Sequence, residues 1–328
     1  MTDKRMPFQI DLLSGEACRE WPRTSLGNLR STRNLLSLMA YNTLELNDGE
    51  SKNAKVESRT QFRSGMPPKP SDSLSFSYHT RMQKGGALVD DMRLLVRSSS
   101  DEGDPSHTTR NILGKKTLAR TRDTFVRAFA PRFLHGDPPN AWKILRYLED
   151  RDAELEIILP VYYWVTARSD RLLYDYVTQE LIHIARSGDG SVRIEETAAW
   201  IQNQLQRTNQ AWTPTVTIKV ARGLLAALRD FKILSGANRK RVTAAHIPIQ
   251  SFCYIAFCLN ALGSSGGALV SHPDWRLFLL SESLVERLFL EAHQQDFLSF
   301  QSAGRIYRID FSAITHEGYA DLLIGKRP

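Results

Sequence analysis

The segment from 191 to 247 constrains this chain more than any other, because its apolar and basic residues are sorted by helical face and then interrupted in a fixed order. Residues 194–205 carry a helical pattern, and 206–212 form a polar break. Thr213 followed by Pro214 is a strong helix start. The Thr hydroxyl can accept from a free first-turn amide, and Pro has no amide to leave unpaired there. From that start to about Phe231, Thr215, Lys219, Arg222, Ala226 and Arg229 recur at spacings of 4, 3, 4 and 3 residues and fall on one stripe. Val220, Ala221, Leu224, Leu225, Leu228 and Phe231 fall on the opposite side. Ile233 and Leu234 then lead into the loop SGANRKR at 235–241, and Val242 begins the return. Helix, turn, helix, strand, basic loop and strand is the order of a winged helix.

The charge distribution agrees with that order. The chain has 328 residues and a formal net charge of +7. Residues 110–132 hold seven basic side chains against one acid, and 213–247 again hold seven against one. Basic charge concentrated in two stretches points to a polyanionic partner. With its apolar side docked on the module's own core, the 213–231 helix presents Lys219, Arg222 and Arg229 outward. Cations beside a small Ala and a Thr suit a helix that enters a major groove. Arg239, Lys240 and Arg241 at the loop tip are placed to meet flanking phosphates. The competing reading is an ordinary solvated basic face. In the other stretch, Lys115, Lys116, Arg120 and Arg127 are candidates for phosphate contact. Thr117 caps a helix there whose expected buried positions are Leu118, Phe125, Val126 and Phe129, with Pro131 at its end. The alternative partner for these cations is the acidic run Glu149, Asp150, Asp152, Glu154 and Glu156, itself expected to be a solvated helix face.

Elsewhere the pattern is mostly helical. A helix is expected near 139–150, with Trp142, Leu145 and Leu148 on one side. Two longer helices follow at about 153–167 and 169–186. The aromatic group Tyr162, Tyr163, Trp164, Tyr174 and Tyr176 reads as helix packing, with a base-stacking platform as the sharper alternative. Beyond 248 come an apolar helix, a turn at HPDW (272–275), and a helix begun by Ser281 or Ser283, the latter at capping-box spacing from Glu286. A hairpin at 297–311 ends the series. The polar stretches 47–75 and 97–106 read as loops. The division expected is 1–106, 107–190, 191–247 and 248–328. The fold class is mainly α: a multi-helix bundle with one or more winged helix-turn-helix modules and short hairpin wings.

Signatures of catalysis are missing from the sequence: it has no phosphate-binding Gly-Lys-Ser/Thr loop, no dinucleotide fingerprint and no HExxH or Cys/His zinc spacing. We expect no enzyme activity, no cofactor and no metal. Cys253 and Cys258 lie in an apolar run and read as core residues. Few cysteines and no signal-like or spanning apolar segment lead us to expect a cytoplasmic protein.

Several motifs resemble the BrxA-type proteins of BREX bacteriophage-exclusion islands: LARTR at 118–122, FAPRF at 129–133, LLYDYV at 172–177, WTPTVT at 212–217 and GLLAALRDF at 223–231. The resemblance implies a mostly helical, double-stranded-DNA-binding accessory protein acting beside a methyltransferase and an ATPase in phage defence. Two rivals stay open. One is an adaptor whose basic faces meet acidic proteins. The other is a winged-helix transcriptional regulator with a ligand pocket lined by the 162–176 aromatics.

Overall fold

A computed structural model describes residues 77–84, 86–99, 112–115, 117–244 and 246–325. The expectations for 47–75, for 100–106 and for Lys116 lie outside the described residues. The chain divides into a unit ending at Lys69 and a unit beginning at Pro70, and every described residue belongs to the second.

The fold is mainly helical, with small antiparallel sheets. A strap beginning at Ser77 includes a 3-10 turn, Arg81–Lys84, and leads to α1 (Val89–Ser98). Thr117 opens α2 (Leu118–Thr124) by accepting from the Arg120 amide, as its sequence position predicts. That helix does not stop at Pro131. It continues as a π-helix, Phe125–Leu134, with Pro131 inside it. An i→i+5 ladder carries more residues per turn than an α-helix. Residues four apart stay on one side: Phe125 stacks on Phe129 and Phe129 meets Phe133 at a tilt, each pair with ring centroids 5.5 Å apart. Leu118, in the first turn of α2, and Val126, in the π-helix, are exposed, contrary to the expectation that both are buried.

Helix α3 (Ala141–Glu149) buries Trp142, Leu145 and Leu148 as expected. Helix α4 (Leu155–Ser169) is apolar on every side and is buried from Ile158 to Ala167 except at Pro160. At its end the Asp170 side chain accepts from the Leu173 amide and starts α5 (Arg171–Asp175). A π-helical stretch, Tyr176–Leu181, joins α5 to α6 (Ile182–Arg186). Tyr162, Tyr163, Trp164 and Tyr176 are all buried, so they are packing residues and not a stacking platform.

The legible unit follows: β1 (Ser191–Val192), α7 (Ile194–Arg207), α8 (Pro214–Asp230), β2 (Leu234–Ser235) and β3 (Lys240–Val242). Its sheet is antiparallel in the order β1-β3-β2, with Ser191 and Ser235 on either side of Arg241. The sequence pattern does not reveal β1, because two residues are too few to show alternation.

Helix α9 (Ile249–Ala261), buried from Ser251 to Leu259, runs through the centre of the C-terminal part. Around it lie α10 (Gly266–Val270), a 3-10 turn (Pro273–Phe278), α11 (Glu282–Gln294), the hairpin β4 (Leu298–Ala303) and β5 (Ile306–Phe311), and α12 (His316–Gly325). Ser281, not Ser283, caps α11 by accepting from the Leu284 amide. Leu284 consequently faces solvent, while Val285, Phe289 and Ala292 are buried. One hydrophobic cluster runs from Tyr78 to Leu323. Among the described residues, no helix is long and apolar enough to cross a membrane.

Candidate nucleic-acid interface

Helix α8 forms where the sequence places it. The Thr213 side chain accepts from the Val216 amide, and Pro214 takes the first turn. Val220, Ala221, Leu224, Leu225 and Leu228 point inward. Thr215, Lys219, Arg222 and Arg229 are exposed, and Ala226 is half-buried. The basic stripe is therefore a surface. Arg229 is partly neutralised by Asp230, 2.9 Å away. Lys219 and Arg222 have no carboxylate at ion-pair distance among the described residues.

The loop between β2 and β3 is tight. At Gly236 (φ +86°) an added Cβ would stand 2.1 Å from the Arg239 carbonyl oxygen, so the turn needs glycine. Arg239 is exposed at its tip. The Lys240 ammonium donates to the Ala237 carbonyl at 2.9 Å, closing its own turn. Arg241 lies 3.8 Å from Asp189 with both side chains largely exposed, a pairing weak enough for phosphate to displace.

The flank of α8 holds a feature that the sequence pattern does not announce. The strap lies directly against it: a Cβ at Gly223 would stand 1.9 Å from the Met82 carbonyl oxygen, and one at Gly86 would touch Ala227. The available signal was Gly223 itself, since glycine inside an otherwise good helix usually marks a close approach.

In the second basic stretch Lys115, Arg120 and Arg127 are exposed. They line an open cleft of about 290 Å³, together with Arg81 from the strap, Arg132 from the π-helix, and Asp91 and Asp123. Lys115 pairs with Asp91 at 2.7 Å, and Arg127 with Asp123 at 3.2 Å. The acidic run beginning at Glu149 is not their partner. Glu149 is buried, not solvated, and binds Arg93 through two hydrogen bonds of 2.7 and 3.0 Å and Arg97 through one of 2.7 Å. Burial would raise its carboxyl, but the hydrogen bonds from Arg93, Arg97 and Tyr162 outweigh that and hold it below the ordinary carboxylate value.

The HPDW turn is an anchor. Buried Asp274 accepts from Trp164 Nε1 (2.7 Å), Arg168 (2.6 Å) and the Tyr174 hydroxyl (2.9 Å), joining α4 and α5 to the 3-10 turn. Cys253 and Cys258 are buried, and burial pushes both thiols far up, which leaves them unreactive. The described residues include no cluster of His, Cys, Asp and Glu able to hold a metal ion.

These features define a class: helical proteins with a small three-stranded sheet and cations displayed on a helix and its adjoining loop. The family model for BrxA matches residues 77–257. The chain belongs to the BrxA family and so is a component of a BREX phage-defence system. A solved structure of an uncharacterized protein from Magnetospirillum magneticum aligns over 61% of this chain and 97% of its own, at 12% identity and a TM-score of 0.46. The comparison with curated proteins returned no match.

Proposed function

We propose that the chain is a non-catalytic double-stranded-DNA-binding component of its defence system. In this reading the 191–247 unit is a winged helix-turn-helix: α7 and α8 form the helix-turn-helix, and the loop between β2 and β3 is the wing. The observation that carries it is the outward display of Lys219, Arg222 and Arg229 on α8, in a unit whose next loop exposes Arg239 and whose strand β3 exposes Arg241. Lys219, Arg222 and Arg229 position the helix on the duplex or reach base edges. Arg239, Lys240 and Arg241 bind phosphates, which sets register and most of the affinity. Other components of the system, including its methyltransferase and ATPase, are the expected protein partners.

A gel-shift at low salt tests the reading. The triple substitution Arg239→Glu, Lys240→Glu and Arg241→Glu is expected to weaken duplex binding by at least about 100-fold while leaving the far-ultraviolet spectrum unchanged. The plot of log K against log salt should become shallower by about 0.9 for each phosphate that the variant no longer neutralises. Unchanged affinity in the folded triple variant eliminates the wing as a DNA-binding element.

A further inference from the structure

We propose that the cleft between the strap and the π-helix is a binding site for a small phosphate ligand of nucleotide size, held by Arg81, Arg120, Arg127 and Arg132. The cleft has five cations and two carboxylates on its walls. Both carboxylates are engaged, Asp91 with Lys115 and Asp123 with Arg127. Arg81, Arg120 and Arg132 have no carboxylate at ion-pair distance among the described residues.

Arg132 is the unusual member. It is only 5% exposed. Its guanidinium donates to the Gly86 carbonyl at 2.9 Å and the Ala87 carbonyl at 3.1 Å, and lies 3.7 Å from Met82 Sδ. These neutral acceptors fix the plane of the fork, and Asp170 acts on its charge only from beyond ion-pair distance. Burial lowers its pKa to about 10; Asp170 opposes that shift, and the neighbouring Arg81 adds to it. A cation that is desolvated, oriented and short of an anion, at the wall of an open cleft, is arranged to receive one. Planar guanidinium groups match phosphate oxygens in pairs, and several lining one cleft favour a multiply charged group.

Shape selects the ligand. The cleft volume of about 290 Å³ lies at the lower edge of small-molecule pockets, which begin at roughly 300 Å³. A duplex presents its phosphates in a continuous row along a wide rod, whereas a recess of this size admits a group that enters end-on. The fitting chemistry is thus a phosphate monoester or diphosphate, supplied by a free nucleotide or by the terminal phosphate of a strand. The floor is π-helical, a geometry often found at functional sites.

Calorimetric titration of the full chain with inorganic pyrophosphate, at fixed ionic strength, tests the proposal. We expect saturable one-site binding that adenosine does not compete. Arg120→Gln and Arg127→Gln alter exposed side chains outside the core, and each is expected to weaken binding about tenfold with an unchanged circular dichroism spectrum. Competition by a 5′-phosphorylated trinucleotide but not by ADP would assign the phosphate to a strand end, and the reverse would assign it to a nucleotide. Either result supports the site. Absence of saturable binding to the folded chain, or undiminished binding in the double variant, overturns it. The Arg239, Lys240 and Arg241 triple variant should retain full pyrophosphate affinity, so failure here is distinguishable from failure of the duplex reading.

Discussion

Glu149 shows how one side chain changes role between pattern and structure. On the sequence it begins an acidic run; in the fold it is the shared acceptor for Arg93, Arg97 and Tyr162 beneath α1 and α3. Spacing along the chain cannot show this, because both arginines come from more than fifty residues away. Its lowered pKa has a definite consequence. A carboxyl held lower in the folded than in the unfolded chain adds stability above its unfolded pKa, near 4.3, and loses it as pH falls through the folded value. Glu149→Gln should therefore lower stability at pH 7 by about 3 kcal/mol and flatten the acid side of the stability profile. Urea unfolding between pH 7 and 3 measures both, and a parallel shift at every pH would contradict it. Leu118 and Val126 moved the other way, out of the expected core, and Asp274 stayed where its turn sequence placed it.

At the level of elements, the helices with clean start signals were the legible ones. Thr117 and Thr213 both cap as their positions predict, and α8 ends within one residue of its expected limit. The π-helices were not legible, because periodicity presumes one fixed pitch. Strand β1 was lost to its brevity, and α12 was not expected at all. The strap's seat on α8 leads to a prediction about helix packing. Alanine has better helix propensity than glycine by about 1 kcal/mol. Gly223→Ala should nevertheless destabilise the protein by about 1–3 kcal/mol, because the Met82 backbone occupies the space of the new methyl. Equal or greater resistance to urea would show that the strap yields freely.

Across the whole described molecule, the basic surface was readable because it depends on one amphipathic helix and its adjoining loop. The cleft was not, since it gathers side chains from three separate stretches. The nearest signal was Arg132 standing alone among Phe129, Pro131 and Phe133. Composition also hid how far the core extends. Tyr254 donates to the Ile144 carbonyl and Ser251 to that of Ile157, so α9 is built into the helices before it. A chain ending at Pro248 should accordingly lose cooperative thermal unfolding, and a sharp calorimetric transition in that truncation would refute the shared core. The strap, finally, has two neighbours. Met82 places its carbonyl against α8 at Gly223 and its sulfur beside the Arg132 guanidinium, which Gly86 and Ala87 also grip. A single short length of chain thus touches both the arginine recess and the outward-facing helix, so the two surfaces share one common wall.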